Sequence, residues 1–101
     1  MQFGLDDKII SSIIGAIKEY KVDRAIIFGS RARGDYKKTS DIDIAISSQD
    51  MTCIELNLLR DQLDQLDIIY KLDVIHIEKL KNQEMLENIE KDGKVILQMK
   101  L

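Results

Sequence analysis

Asp41 and Asp43, two aspartates one residue apart, are the residues of this sequence best suited to bind a metal ion. They fall in DIDIAI (41–46), where Asp41, Asp43 and Ala45 alternate with three isoleucines, as in a β-strand with one polar face and one face in the core. Side chains at i and i+2 of a strand lie on the same face, with α-carbons about 6.5–7 Å apart. Two carboxylates so placed repel each other unless a cation lies between them, and hard oxygen ligands favour Mg²⁺ or Mn²⁺. The alternative is a pair of solvent-exposed aspartates on the polar face of a strand.

A second group of residues could bind phosphate. Gly29 and Ser30 directly follow Ala25–Phe28, a continuously apolar run typical of a buried strand. A glycine lets a phosphate approach the backbone closely, and the serine adds a hydroxyl donor. Arg31 and Arg33 follow, and guanidinium groups bind phosphate oxygens through charge-assisted hydrogen bonds. The alternative is an ordinary turn at the end of a strand, with its arginines in solvent.

A third carboxylate, Asp73, lies inside the apolar run LDVIHI (72–77), where a charge is costly to bury without a partner. If this run is a strand beside 41–46, Asp41, Asp43 and Asp73 can converge on one or two metal ions. In two-metal sites one ion activates the attacking hydroxyl and the other holds the triphosphate. Asp73 could also accept the proton of the nucleophile.

These residues need a scaffold of alternating helices and strands. Residues 6–20 carry isoleucines at the spacing of an amphipathic helix, and Thr52 with Glu55 reads as a capping box. The remaining predicted elements are strands over 25–28, 41–46 and 72–77, helices over 53–66 and 80–91, and a short strand or extended tail over 94–97. In the second helix we expect the inward residues to be Ile54, Leu58, Leu59, Leu63 and Leu66, and Gly93 is the predicted cap of the third helix.

This order predicts a single α/β (α+β) domain over residues 1–101, with helices packed on one small sheet, antiparallel or mixed. The connection from Phe28 to Asp41 is about a dozen residues and has no convincing long helix. An antiparallel arrangement of the first two strands therefore stands beside a right-handed crossover.

Composition limits the class of protein. With 45% hydrophobic and 33% charged residues, the chain is typical of a globular domain. It has no apolar stretch of the ~20 residues that cross a bilayer and no signal-peptide pattern, so we expect no membrane association and a cytoplasmic location. A net charge of −3 argues against direct nucleic-acid binding, although the basic residues clustered between Arg31 and Lys38 suit a small polyphosphate.

The pattern of Gly29-Ser30, ten further residues and then Asp41-Ile42-Asp43 resembles the signature of the DNA polymerase beta-like nucleotidyltransferase superfamily. The finer form, GSRARG…SDIDIAI, is similar to its small prokaryotic branch, the minimal nucleotidyltransferases (MNT). The motif and the element order together cover roughly residues 6–97. The resemblance implies the polymerase beta-like fold, ATP as substrate, Mg²⁺, and transfer of a nucleoside monophosphate to a hydroxyl.

The resemblance also implies a role for each motif residue. Gly29 and Ser30 match the phosphate-binding pair, and Asp41 and Asp43 match the metal-binding aspartates. Asp73 matches the third carboxylate by its place in the next strand. Arg31 and Arg33 match residues common in the family, with a less defined role in nucleotide binding.

A partner protein is implied as well. Larger relatives carry a second domain that holds the acceptor, and this chain leaves no residues for one. Minimal nucleotidyltransferases pair with a small helical HEPN protein, which implies that this chain is the antitoxin and adds AMP to a tyrosine of a HEPN toxin. Two alternatives stay open: a binding module that neutralises its partner by occlusion, and a transferase acting on a small molecule. The apolar helix faces belong either to the core or to a homo- or hetero-oligomeric surface.

Overall fold

The computed structural model describes residues 2–99, which form one small sheet with helices on both faces. Within this range no helix is both long and apolar enough to span a membrane. The elements in chain order are α1 (Asp7–Ile17), β1 (Arg24–Phe28), α2 (Ser30–Arg33), β2 (Ile42–Ser47), α3 (Cys53–Asp64), β3 (Leu72–His76), a 3₁₀ turn (Ile77–Lys79), α4 (Gln83–Asp92) and β4 (Lys94–Gln98).

The sheet has the strand order β3-β2-β1-β4 and is mixed, one of the two types that the sequence left open. β1 is antiparallel to both β2 and β4, whereas β2 and β3 are parallel. The segment between β1 and β2 carries only the four-residue α2, so the first two strands take the antiparallel arrangement. The stretch 94–97, predicted as either a strand or a tail, belongs to β4.

One face of the sheet is covered by α1 and α3, which form the larger part of the core. Ile13 and Ile17 of α1 and Leu59 and Leu63 of α3 are buried there. They pack with the inward side chains of the two central strands, which are Ala25, Ile27, Ile42, Ile44 and Ile46. Each fully buried aliphatic side chain stabilises the fold by about 1.5–3 kcal/mol.

The other face is covered in part by α4. Ile89 of α4 is buried with Ile26, Phe28 and Ala45 of the sheet. The expectation that Asp41, Asp43 and Ala45 form a polar face of this strand is therefore wrong for Ala45, which α4 covers. Asp43, two residues earlier on the same face, is only partly buried. Functional side chains can thus lie at this end of the sheet.

The inward face predicted for α3 is also partly wrong. Ile54 and Leu58 are 72% and 52% exposed, whereas Leu59 and Leu63 are buried as expected. The helix rests on the sheet through Leu56, Leu59 and Leu63, which recur at i, i+3 and i+7. Because α3 has apolar residues on more than one side, composition alone does not identify the buried stripe.

The third long helix begins later than predicted, at Gln83 rather than Leu80. The 3₁₀ turn Ile77–Lys79 comes first, and the Asn82 side chain then accepts a hydrogen bond from the Met85 N–H and caps the helix. The capping box predicted for α3 is present, since Thr52 and Glu55 exchange hydrogen bonds. Gly93 is the C-cap of α4, as predicted.

Candidate active site

Three neighbouring strands place polar residues in one row at one end of the sheet. Gly29 directly follows β1, Asp43 is the second residue of β2, and Asp73 is the second residue of β3. Phe28 is the register partner of Asp43 on one side, and Asp73 is its partner on the other. Neighbouring strands lie about 4.8 Å apart, so the row crosses the sheet over a distance comparable to a triphosphate chain. The sequence left open whether the two acidic strands are neighbours, and the structure pairs them.

Asp43 lies at the centre of this row and is electrostatically strained. Burial raises the pKa of the Asp43 carboxyl above its ordinary value, and the negative charges of Asp73 and Asp41 raise it further. Arg33 acts in the opposite direction and lowers this pKa. A cation beside Asp43 would remove the repulsion among the three carboxylates.

Gly29 is fixed by its conformation and by Asp43. Its φ of 75° and ψ of −155° belong to a region that is essentially restricted to glycine. A β-carbon at this position would overlap the Asp43 carboxylate oxygen Oδ2. The glycine therefore makes room for the central carboxylate.

Ser30 and Arg33 lie beside Gly29 on the short α2. Ser30 is the first residue of this helix, and it is partly exposed. The Arg33 side chain is 43% exposed, with Nε 3.3 Å from Asp35 Oδ2 and Nη1 4.0 Å from Asp92 Oδ2. Both side chains are accessible to an anionic ligand.

Arg31 is not part of this cluster. It is 2% exposed, and its Nε and Nη2 donate to the Ser40 carbonyl oxygen at 3.1 and 2.8 Å. Nη1 donates to the Phe3 carbonyl oxygen at 2.9 Å, and the guanidinium lies over the rings of Tyr36 and Tyr70. The predicted role of Arg31 as a phosphate ligand is at odds with this placement, because backbone carbonyls occupy its donors. We assign it a structural role.

The three carboxylates offer the oxygen ligands that divalent cations prefer, although their side chains do not already surround a cation position. Asp41 is exposed and lies just before β2, and the Asp73 side chain is 46% exposed with Lys71 Nζ 3.8 Å from its Oδ1. Within the described part of the chain, no three His, Cys, Asp or Glu side chains already stand as a metal-binding group. The residues that would hold the cation are Asp43 and Asp73, which pair in register, together with Asp41.

A cleft of about 510 Å³ opens beside Asp43 and Asp73. Sequence reasoning missed three of the residues that line it, Arg60 and Asp64 of α3 and Met85 of α4. Arg60 and Asp64 are spaced i, i+4, which places them on one side of the helix, but charged pairs at this spacing are common on exposed helices. The spacing of Arg60 and Asp64 in the sequence therefore does not identify them as site residues.

A smaller hollow of about 260 Å³ adjoins Gly29 and Arg33. Phe28 and Met85 line both the cleft and the hollow, so the two are neighbours around Asp43. Arg33 is the basic residue that lines the hollow, and Asp73 is the carboxylate that lines the cleft beside Asp43. This arrangement can hold an anionic chain at one end and a nucleophile at the other.

Comparison with known proteins identifies related sequences. The family model described as "Polymerase beta, Nucleotidyltransferase" matches residues 11–100. The protein named "Putative protein adenylyltransferase MJ1217" of Methanocaldococcus jannaschii is 37% identical over 76 residues, which are 74% of this chain and 76% of that protein. "Putative protein adenylyltransferase MJ0141" of the same organism is 45% identical over 42 residues, so the alignment spans 42% of the length of that relative.

Solved structures share the fold. A crystal structure of a toxin–antitoxin with AMP-PNP superposes with a TM-score of 0.73 at 23% identity, covering 89% of this chain and 73% of that chain. A structure of the tri-AMPylated Shewanella oneidensis HEPN toxin in complex with MNT antitoxin matches with a TM-score of 0.70 at 20% identity. The match covers 94% of this chain and 74% of that chain. At these identities the likeness concerns the fold.

Proposed function

Because the chain belongs to the polymerase beta nucleotidyltransferase family, we propose that it transfers AMP from ATP, with Mg²⁺, to a tyrosine hydroxyl of a HEPN-family toxin, and so acts as the antitoxin of that pair. The observation that carries the proposal is the row formed by Gly29, Asp43 and Asp73 across three strands. It supports the proposal because a glycine that follows a buried strand, a central carboxylate and a second carboxylate lie side by side, which suits phosphate binding next to metal binding.

The polyphosphate of ATP binds at the Gly29 end. The Ser30 hydroxyl and the Arg33 guanidinium donate to phosphate oxygens, and the missing β-carbon of Gly29 leaves room for the Asp43 carboxylate beside them. Asp41, Asp43 and Asp73 would hold Mg²⁺, which supplies charge stabilisation to the phosphoryl group and the leaving pyrophosphate. Arg31 supports the site indirectly, because it fixes the backbone at Phe3 and Ser40 on either side of α2.

In the reaction, the acceptor hydroxyl oxygen forms a new bond to the α-phosphorus of ATP. The bond from the α-phosphorus to the bridging oxygen breaks, and pyrophosphate leaves with that oxygen. Asp73 accepts the hydroxyl proton, which is consistent with its half-exposed position beside the cleft. Catalysis is mainly positioning and charge neutralisation, as is usual in phosphoryl transfer.

The choice of ATP and of a protein acceptor is supported by the relatives. The Methanocaldococcus proteins carry the name of protein adenylyltransferases. One fold neighbour was crystallised with AMP-PNP, and another in complex with a HEPN toxin that carries three AMP groups. The site lies in an open cleft at the edge of the domain, which a protein side chain can reach.

The test is transfer of label. Purified chain is incubated with ATP labelled at the α-phosphate, Mg²⁺ and the HEPN protein encoded beside it, and the modified residue is identified by mass spectrometry. We expect labelled tyrosine with wild type, and at least a hundredfold slower labelling with Asp43→Ala or Asp73→Ala. Chelation of Mg²⁺ with EDTA should stop the reaction, and added Mg²⁺ should restore it.

Two outcomes would overturn the proposal in different ways. Equal labelling by wild type and Asp43→Ala would refute the assignment of the metal site. Suppression of the partner by wild type without any labelling would favour the alternative of neutralisation by occlusion. Exposed apolar residues such as Ile54, Leu58 and Ile69 are available for such a surface.

A further inference from the structure

The order of the strands fixes the side from which the acceptor must enter. In a nucleotidyl transfer the attacking oxygen and the leaving oxygen lie roughly in line through the phosphorus atom. Gly29 and Arg33 follow β1 and line the hollow on that side, so in the proposed reaction the leaving pyrophosphate lies on that side of Asp43. The attacking hydroxyl must then arrive from the opposite side, which is that of β3.

β3 is an edge strand, so this side of the site is open. The 510 Å³ cleft is lined by residues of α3, β3 and α4, together with Asp43. Its volume is within the ~300–1,000 Å³ typical of small-ligand sites. An acceptor side chain can therefore reach Asp73 along β3 without crossing the site of the triphosphate.

Arg60 of α3 lies over the free edge of β3. Its Nε and Nη2 both donate to the carbonyl oxygen of Val74, at 3.2 and 2.7 Å. That carbonyl points away from β2, because the Lys71 carbonyl, three residues earlier, is the one that accepts from Ile42 of β2. The Val74 carbonyl therefore fixes one side of the guanidinium, and the remaining donors on Nη1 and Nη2 are left for another oxygen.

The charges of the cleft point to the kind of group that Arg60 would bind. Arg60 is the only cation among the described residues that line the cleft, and the carboxylates of Asp43, Asp73 and Asp64 line it as well. An anchored guanidinium with free donors on one edge matches a carboxylate. Asp64, one turn further along α3, can accept a backbone N–H. Arg60 and Asp64 lie one helical turn apart, so a polypeptide segment in the cleft could place a carboxylate at Arg60 and a backbone N–H at Asp64.

We propose that the cleft along β3 receives the acceptor segment of the partner protein, and that Arg60 selects it by binding a carboxylate near the acceptor tyrosine. This inference rests on the proposed function and adds to it the entry side and a specificity residue for the acceptor. The carboxylate is either an acidic side chain or the carboxyl terminus of the partner.

The experiment compares wild type with Arg60→Ala, Arg60→Lys and the control Lys79→Ala. Lys79 lies near Arg60 on the same surface but does not line the cleft. With the HEPN protein as acceptor, we expect Arg60→Ala to raise the KM for the acceptor by about tenfold to a hundredfold, the usual range for loss of a charge-assisted hydrogen bond. The KM for ATP and the affinity for AMP-PNP should change less than about twofold. Arg60→Lys should restore part of the effect, and Lys79→Ala should behave as wild type.

The source of the carboxylate is found by changing the acceptor. Each Asp or Glu near the modified tyrosine is replaced by its amide, and in a separate protein the carboxyl terminus is amidated. The change that removes the charge bound by Arg60 should raise the KM in wild type and have no further effect in Arg60→Ala. If every change raises the KM equally in both enzymes, Arg60 does not bind a carboxylate and the inference is wrong.

Two further results would contradict the inference. A raised KM for ATP with an unchanged KM for the acceptor would place the nucleoside, not the acceptor, in the cleft. A lower melting temperature with no change in either KM would leave Arg60 as a cover for the edge of β3 and nothing more.

A binding measurement separates this inference from the proposed function. Affinity of the partner for the inactive Asp43→Asn protein is measured by calorimetry, with and without Arg60→Ala. Addition of Arg60→Ala should weaken binding by about tenfold or more. Unchanged affinity would overturn the inference even if wild type transfers AMP, and weakened affinity would uphold it even if wild type transfers none.

Discussion

Gly29 and Asp43 depend on each other sterically, although Gly29 follows β1 and Asp43 belongs to β2. The conformation of Gly29 and the absence of its β-carbon leave the space that the Asp43 carboxylate occupies. Asp43 in turn is partly buried against its neighbours and carries a raised pKa, first because of burial and then because of Asp73 and Asp41. A change at either residue therefore affects both the backbone and the charge at the centre of the site.

Replacing Gly29 with alanine should cost about 1–3 kcal/mol of stability, because the new β-carbon meets Asp43 Oδ2 and the backbone lies in a region that only glycine tolerates. AMP transfer should also be lost. Gly15→Ala is the matched control, since it lies inside α1 with no atom near its β-position, and it should stabilise the chain by about 0.5–1 kcal/mol. Urea denaturation measures both, and equal effects at the two glycines would contradict the steric argument.

The repulsion around Asp43 should make Asp43→Asn more stable than wild type in metal-free buffer at pH 7. Like charges opposite each other on neighbouring strands destabilise a sheet by up to about 1 kcal/mol, and the amide removes one of them. Asp61→Asn, an exposed change in α3, is the control and should be neutral. The melting temperatures of wild type, Asp43→Asn and Asp61→Asn, measured in EDTA, test this prediction. A destabilised Asp43→Asn would show that its carboxylate has a favourable partner that outweighs the repulsion.

At the scale of elements, the 3₁₀ turn after β3 joins that strand to the far end of β2. Glu78 in this turn accepts hydrogen bonds from Ser47 Oγ at 2.6 Å and from the Ser48 N–H at 3.0 Å. Burial acts to raise the pKa of Glu78, but these hydrogen bonds and the nearby His76 outweigh it and lower the pKa below 4.5. The ionised carboxylate therefore helps to hold the parallel pair together.

Glu78→Gln should destabilise the chain at pH 7 by about 1 kcal/mol, because a charged acceptor is replaced by a neutral one at a partly exposed site. Since the folded pKa is lowered, the stability from Glu78 is fully present above pH 4.5 and is lost as the pH falls through its folded pKa. The difference from wild type should thus shrink below pH 4.5. Glu87→Gln, at an exposed position of α4, is the control and should show no such pH dependence in melting curves. If the difference in stability between Glu78→Gln and wild type stayed constant with pH, the stability would not depend on the ionisation of Glu78.

The two leucines at positions 58 and 59 of α3 provide a direct test of which face is buried. Leu59→Ala should cost about 2–5 kcal/mol, because Leu59 is fully buried in the core. Leu58→Ala should cost less than about 0.5 kcal/mol, because its side chain is half-exposed. Denaturation in urea distinguishes them. Similar losses at both positions would mean that Leu58 is covered in solution, for example in an oligomer.

At the scale of the whole molecule, local periodicity and short-range turn signals predicted the element order, because a single sequence records them. The sequence left open the sheet type and the adjacency of the acidic strands, since both depend on pairing between segments about thirty positions apart. The role of Arg31 did not follow, because its carbonyl acceptors at Phe3 and Ser40 are brought together only by the tertiary fold. The cleft residues Arg60 and Asp64 did not follow either, since their meaning depends on how α3 packs beside β3.

The parallel pairing of β2 with β3 has a consequence for the order in which the chain folds. Phe28 pairs with Asp43, fifteen positions later, whereas Ile42 pairs with Leu72, thirty positions later and beyond α3. The longer loop has the larger closure entropy, so the antiparallel pair should form first. Ile27→Val in β1 should then slow refolding, and Val74→Ala in β3 should mainly speed unfolding. Stopped-flow kinetics would show the reverse pattern if the parallel pair nucleates folding. Until β3 docks, Asp41 and Asp43 would have no Asp73 beside them, so the row of carboxylates would be completed only when the parallel pair forms.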